Sequence, residues 1–215
     1  MFKKSLLIML LMAIFAPWTA VQKTLPYNYG FENNDLAGEG WSIVNGATGY
    51  YTTGINAEAA QTGDYGFMFF YSTNPPQYLI TPELNGTDNG VEVTFYYKNC
   101  STYEETFTVG YSTTTSETTA FTWDEDTYTA PSTWTEYSKT FPTGTKYVSV
   151  KYTANNQFKM GLDDFSFTVP SSCPKPTALT ATNVTNNSAT LGWTSNADSW
   201  NLQYKAASDA DWTLV

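Results

Sequence analysis

In the stretch Val91-Glu92-Val93-Thr94-Phe95-Tyr96-Tyr97-Lys98, the residues Val91, Val93, Phe95 and Tyr97 alternate with Glu92, Thr94, Tyr96 and Lys98. Successive side chains of a β-strand point to opposite faces, so a period of two predicts a strand with one face buried. The same period runs through Tyr147-Val148-Ser149-Val150-Lys151-Tyr152 and Phe165-Ser166-Phe167-Thr168-Val169. Phe67-Met68-Phe69-Phe70-Tyr71 is continuously apolar, which predicts a strand covered on both faces. Turn-forming clusters separate these runs: Asn45-Gly46, Gly63-Asp64, Asn74-Pro75-Pro76, Asn85-Gly86, Asp88-Asn89-Gly90 and Pro142-Thr143-Gly144. No segment repeats its apolar residues at helical spacing over a useful length, and Thr, Tyr, Phe and Val suit a pleated, half-buried surface. The fold class is therefore all-β, with strands at the spacing of a β-sandwich.

The chain has 215 residues, with 20 Asp and Glu against 10 basic residues, all of them Lys, and no His. A Ser–His–Asp or Cys–His nucleophile cannot be built without His. A zinc site containing His is equally excluded, and the two Cys are too few for an all-thiolate site. Without Arg, bidentate clamps on phosphate or carboxylate are excluded too. At a net charge of −10, nucleic acid and anionic lipid are repelled, so neither is an expected partner. Aromatic residues make up 17% and charged residues 14%, the reverse of a disordered acidic chain. The length suits one large β domain or two smaller ones.

Lys3 and Lys4 precede the apolar run LLIMLLMAIF at residues 6–15, and Pro17, Thr19 and Ala20 follow. A charged start, a short apolar centre and small residues read as a signal peptide over residues 1–20, cleaved after Ala20. The run is short of the roughly 20 apolar residues that span a bilayer, so no membrane insertion is expected after cleavage, with an uncleaved membrane anchor as the alternative. The remainder carries 8 Lys against 20 acids, a net −12. Export implies an oxidising compartment and an extracellular or cell-surface location. Cys100 and Cys173 could pair there, and Cys173 could equally pair with a residue beyond position 215.

The composition changes at Val169-Pro170-Ser171-Ser172-Cys173-Pro174-Lys175-Pro176, where prolines at 170, 174 and 176 predict a stiff linker over residues 170–176. Beyond it lie four strand-like pieces, at residues 178–184, 188–194, 200–205 and 212–215. An immunoglobulin-like sandwich needs roughly 100 residues, so residues 177–215 are expected to be part of a longer domain.

Residues 26–169 resemble the cleaved-adhesin domain, the jelly-roll module repeated in the haemagglutinin regions of gingipain proteases and related surface proteins. Four segments carry the resemblance, in the right order: Phe31-Glu32-Asn33 followed by Gly40-Trp41; Tyr78-Leu79-Ile80-Thr81-Pro82-Glu83-Leu84; the stretch WTEYSKTFPTGTKYVSVKY at 134–152; and Gly161-Leu162-Asp163-Asp164-Phe165. The resemblance implies a jelly-roll β-sandwich over residues 21–169. The segment from Cys173 onward is similar to the first half of a fibronectin type III domain, with Trp193 and Tyr204 at its core positions. The chain departs from the adhesin pattern at residues 42–49 (SIVNGATG), where an Asp-rich loop is replaced by one without acids.

Glu32 lies near the first strand and Asp164 at the start of the last, and such strands can be neighbours in a jelly roll. Two carboxylates with main-chain carbonyls suit Ca²⁺, which takes six to eight oxygens. Adjacent side chains point to opposite faces of a strand, so only one of Asp163 and Asp164 is expected beside Glu32. Asp164 is the choice, because related calcium-stabilised jelly rolls are similar in using an early Glu and a late Asp. Such an ion would be structural; the same acids can equally cap turns. Asp124-Glu125-Asp126 reads as a solvated turn, with a second calcium loop as the alternative.

Trp123, Tyr128 and Trp134 sit among polar residues and are the expected exposed aromatics for ligand contact. Tyr50-Tyr51 and Tyr96-Tyr97 are each expected to send one ring into the core. Glu104 and Glu105 are expected as diverging strand neighbours, unlike the facing carboxyls of a glycosidase. The expected function is an exported, non-catalytic adhesin module contacting a host surface protein or glycan. The alternatives are a carbohydrate-binding module of a larger secreted enzyme, a glycoside hydrolase, and a structural spacer without a ligand.

Overall fold

The computed structural model describes residues 21–155, 157–171, 176–195 and 199–214. The expected signal peptide, Cys173 and the middle of the proline-rich linker lie outside the described residues, and so does any pairing of Cys173. Cys100 carries a free thiol.

The strands in chain order are β1 (Gln22–Thr24), β2 (Tyr27–Tyr29), β3 (Ser42–Val44), β4 (Gly54–Asn56), β5 (Gly66–Phe70), β6 (Gln77–Ile80), β7 (Glu83–Asn85), β8 (Val91–Asn99) and β9 (Thr106–Ser112). They continue with β10 (Thr122–Trp123), β11 (Tyr128–Thr129), β12 (Thr135–Phe141), β13 (Tyr147–Tyr152) and β14 (Lys159–Thr168). After the linker come β15 (Thr177–Thr182), β16 (Thr190–Thr194), β17 (Gln203–Tyr204) and β18 (Thr213–Leu214). Short 3₁₀ turns occupy Ala57–Ala59 and Thr118–Ala120. Among the described residues, no helix is long and apolar enough to cross a membrane.

Two sheets face each other. One runs β10-β9-β13-β6-β3, with β11 also paired to β9; the other runs β12-β8-β14-β5-β4, with β2 paired to β14. β8 sits between β12 and β14 and shows why the layers close: Val91, Val93 and Phe95 are fully buried and Tyr97 nearly so, while Glu92, Thr94 and Tyr96 are only partly covered. β13 and β14 place Val148, Val150, Tyr152, Phe165 and Phe167 in the same core. The apolar run in β5 is covered on both faces as its composition predicts. Phe67 and Phe69 enter the main core, while Met68 and Phe70 join Ala47 and Ala59 in a smaller cluster on the outer side. Rings dominate the packing: Phe95 stacks on Tyr137 and on Phe165, each at 4.6 Å between centroids. Such pairs add about 0.5–1.5 kcal/mol each beyond the area they bury.

The segments beyond the linker form two separate two-stranded sheets, β15 with β16 and β17 with β18. Trp193 and Trp200 meet edge to face at 5.8 Å. Leu179, Leu191, Trp212 and Leu214 there are exposed.

Candidate functional site

The three expected metal ligands meet around one loop, residues 60–65. Glu32 accepts hydrogen bonds from the backbone N–H of Asp64 (2.9 Å) and Tyr65 (3.2 Å). Asp163 is fully buried; its Oδ2 accepts from the N–H of Gln61 (2.7 Å) and Thr62 (3.2 Å), and its Oδ1 from the N–H of Asp164 (2.7 Å). Asp164 Oδ1 accepts from the Thr62 hydroxyl at 2.7 Å. The strand rule that would separate Asp163 from Asp164 therefore fails. A register shift falls between Asp163 and Ser166, and Asp164 takes a left-handed φ of 52°. This bulge breaks the alternation and turns both carboxylates toward the same loop. Burial pushes the Asp163 carboxyl up to about 6, against the lowering effect of the N–H groups of Gln61, Asp164 and Thr62.

Three features around the loop bear on whether Glu32 and Asp164 could hold a cation. Gly63 has a φ of +64°, and a Cβ there would fall 2.3 Å from Glu32 Oε1, so only glycine leaves that carboxylate its place. Gln61 Oε1 is buried and accepts no hydrogen bond from a protein group. Phe31, next to Glu32, also takes a left-handed φ of 65°, although its ring is fully buried. Strained backbone of this kind costs roughly 1–3 kcal/mol per residue and gathers at ligand clamps. Among the described residues, no three acids or thiols come together in a metal-ligating group, so two carboxylates and neutral oxygens are the available donor set.

The second candidate site is a groove at the pole of the sandwich where β5 and β8 end and β14 begins. Its larger part, ≈ 700 Å³, is lined by Tyr51, Tyr71, Cys100, Ser101, Thr102, Tyr103, Gln157 and Phe158. It adjoins a second part of ≈ 360 Å³, formed by residues 45–48, 50–51 and 71–74 and sharing Tyr51 and Tyr71. No lining residue of either part is charged. The expectation that one of Tyr50 and Tyr51 enters the core is corrected. The two lie on a loop, not a strand, and are 94% and 43% exposed. Tyr51 instead stacks on Phe70 at 5.4 Å and meets Phe158 edge to face at 5.0 Å.

Two buried polar networks hold the walls. On one side Thr53 Oγ1 donates to Gln77 Oε1 (2.6 Å) and accepts from the N–H of Ala47 (3.1 Å) and Phe70 (3.2 Å). Gln77 Nε2 donates in turn to Phe70 O at 2.6 Å. On the other side the Glu105 carboxylate, fully buried, accepts from Ser101 Oγ (2.6 Å), Phe158 N (2.9 Å), Lys159 N (3.0 Å) and the Tyr152 hydroxyl. Glu104 and Glu105 are thus not strand neighbours; they end the connection before β9. Glu105 is fully engaged inside the protein and Asp163 likewise, so neither carboxylate is presented to a substrate. Burial raises the Cys100 thiol above its ordinary value.

The aromatics expected to contact ligand do not come together. Tyr128 packs its ring into the core, stacked on Phe107 at 5.3 Å and edge-on to Tyr137 at 5.3 Å. Its polar neighbours reflect strand alternation, with the ring on the inner face of β11. Trp123 lies on the β10 side among Phe121, Tyr78 and the Lys151 ammonium, 4.9 Å from its ring centroid. Trp134 lies against Gly161 near the other sheet, beside Lys98. Asp124 accepts from Tyr128 OH at 3.1 Å and pairs with Lys139, which makes the acidic run part of an ion pair. Sequence reasoning missed Tyr71 and Tyr103, whose signal was a tyrosine embedded in turn-forming residues, Tyr71-Ser72-Thr73-Asn74 and Ser101-Thr102-Tyr103.

A family model described as the Cleaved Adhesin Domain matches residues 19–167. The K1 cleaved adhesin domain of Lys-gingipain from Porphyromonas gingivalis W83 is 21% identical, with a TM-score of 0.56, over 67% of this chain and 98% of that one. The K3 domain of the same protein is 23% identical, with a TM-score of 0.55, over 66% of this chain and 97% of that one. These likenesses establish the shared jelly-roll sandwich. Among curated proteins, none matches the chain.

Proposed function

The chain belongs to the cleaved adhesin domain family, and from that membership we propose that it is an exported, non-catalytic adhesin module contacting host surface proteins or glycans through the tyrosine-lined groove. The observation that carries this reading is the groove itself: exposed rings on loops that buried networks hold in place. Preformed walls lower the ordering cost of binding, which is where a rigid β scaffold gains affinity. The groove has no carboxylate pair facing across it, which is the arrangement a glycoside hydrolase uses. The test is adhesion of the full chain to immobilised host cell-surface material. The double variant Tyr71→Ala/Tyr103→Ala is expected to lose at least about tenfold in retention. Undiminished retention overturns the groove as the contact surface.

The carboxylate cluster is proposed as a structural Ca²⁺ site. Glu32 and Asp164 would supply side-chain oxygens, and Gln61 Oε1 and main-chain carbonyls the remainder, while Asp163 positions Asp164 through its bonds to the loop. When bound, the ion would neutralise the two carboxylates and tie loop 60–65 to β14. Residues 177–215 are proposed as the first part of a fibronectin type III domain. The pairing of β15 with β16 and the contact of Trp193 with Trp200 support that reading.

A further inference from the structure

Resting on the groove as the contact surface, we propose that its ligand is a neutral oligosaccharide. Five large apolar side chains are exposed between residues 21 and 168: Val21, Tyr50, Tyr51, Tyr71 and Tyr103. All but Val21 line the groove. A sandwich that buries nearly all its rings thus leaves tyrosines uncovered at one pole only. Such rings offer a flat, electron-rich face. The C–H groups on one side of a pyranose ring carry partial positive charge and stack on that face, as other aromatic partners do.

Polar groups decide the class further. Between the rings stand hydroxyl and amide side chains, among them Asn45, Thr48, Asn74, Ser101, Thr102 and Gln157. These donate and accept, as sugar hydroxyls do. No charged side chain lines the groove, although the chain carries 20 acids and 10 lysines. The cation beside it, the Lys159 ammonium 5.6 Å from the Phe158 ring centroid, is paired with Glu58, so an anionic glycan or acidic peptide would have to compete with that carboxylate. An extended peptide adding itself as a strand would need free backbone groups. Those at the floor are already engaged: Phe70 N with Thr53, Phe70 O with Gln77, and Phe158 N and Lys159 N with Glu105. The two adjoining parts share Tyr51 and Tyr71, so the surface is elongated, and ≈ 700 Å³ lies within the roughly 300–1,000 Å³ of small-ligand sites. A short linear run of sugar rings fits that shape.

Titration calorimetry on the full chain tests this. The probes are neutral oligosaccharides of glucose, mannose, galactose and N-acetylglucosamine, with sulfated counterparts. At least one neutral series is expected to bind, with affinity unchanged between low and high salt because no charge pairing is involved. Tyr103→Ala and Tyr71→Ala are each expected to weaken it about tenfold, while Tyr103→Phe, which keeps the ring, holds it within about threefold. Binding confined to the sulfated series overturns the proposal, as does equal loss in Tyr103→Phe and Tyr103→Ala. A blank neutral panel, with Tyr71→Ala/Tyr103→Ala abolishing binding to enzymatically deglycosylated host protein, overturns the glycan but leaves the groove as the contact surface. Adhesion that survives the double variant overturns both.

Discussion

Tyr152, the last residue of the central strand β13, donates its phenolic hydrogen to Glu105, at the end of the loop that carries Tyr103. Burial raises the Tyr152 hydroxyl far above its ordinary value, and the bond to Glu105 adds to this. Core and groove wall are therefore one hydrogen-bonded unit. Glu105→Ala leaves four donors without an acceptor: Tyr152 OH, Ser101 Oγ, Phe158 N and Lys159 N. Each buried orphan costs about 1–3 kcal/mol, so urea unfolding is expected to show a loss of at least about 3 kcal/mol. A loss under about 1 kcal/mol would mean that water replaces the carboxylate.

Gly66 opens β5 against the 3₁₀ turn. A Cβ there would lie 1.9 Å from Ala59 O and 3.0 Å from Leu162 O, both backbone atoms that cannot rotate away. Gly66→Ala is expected to cost about 3 kcal/mol, at the upper end for overpacking, read as a lowered urea midpoint with an unchanged slope.

Asp124 supplies a pH dependence with a defined sign. Burial would raise its carboxyl, but hydrogen bonds from Lys139 and Tyr128 outweigh it and hold the group below its ordinary value. A depressed folded value stabilises the fold above the unfolded carboxyl's titration, near pH 3.9, and that contribution disappears as pH falls through the folded value. Asp124→Asn is expected to be about 1–2 kcal/mol less stable than the native chain at pH 7. The gap should close in urea titrations carried down toward pH 3. A gap that is constant with pH would mean that the charge contributes nothing.

Calcium is tested by thermal melts. With free Ca²⁺ one hundredfold above its dissociation constant, a site that binds only the folded chain adds about 2.7 kcal/mol. A raised midpoint, reversed by chelator, is expected. Glu32→Gln and Asp164→Asn should each remove the Ca²⁺ increment; Asn tolerates the left-handed φ at 164, so the second variant isolates the charge. Identical melts with Ca²⁺ and with chelator sink the site.

The strands were legible because their signal is local. Period two in β8, β13 and β14 placed Val93, Phe95, Val150, Phe165 and Phe167 in the core, where the structure has them. The sites were legible only in part, because they depend on departures from that period and on chain segments far apart. Glu32, Asp163 and Asp164 all bond to loop 60–65, but a bulge at Asp164 decides how, and no residue type announces a bulge there. The groove gathers Tyr51, Tyr71, Tyr103 and Phe158 from four connections that only the sheet order brings side by side. Choosing exposed rings by polar neighbours selected Tyr128, whose neighbours are polar because a half-buried strand alternates.

β14 begins beside the groove at Lys159 and runs to Thr168, and β2 pairs with its far half, Tyr27 opposite Phe167. At about 3.3 Å per residue the strand carries the chain some 30 Å from groove to exit. The chain therefore leaves the sandwich at Thr168, at the pole opposite the tyrosines, and Tyr27 lies at that same end. A partner approaching the rings meets the end of the sandwich farthest from Thr168. Lengthening or stiffening the chain after Thr168 changes how far the groove reaches without touching its shape.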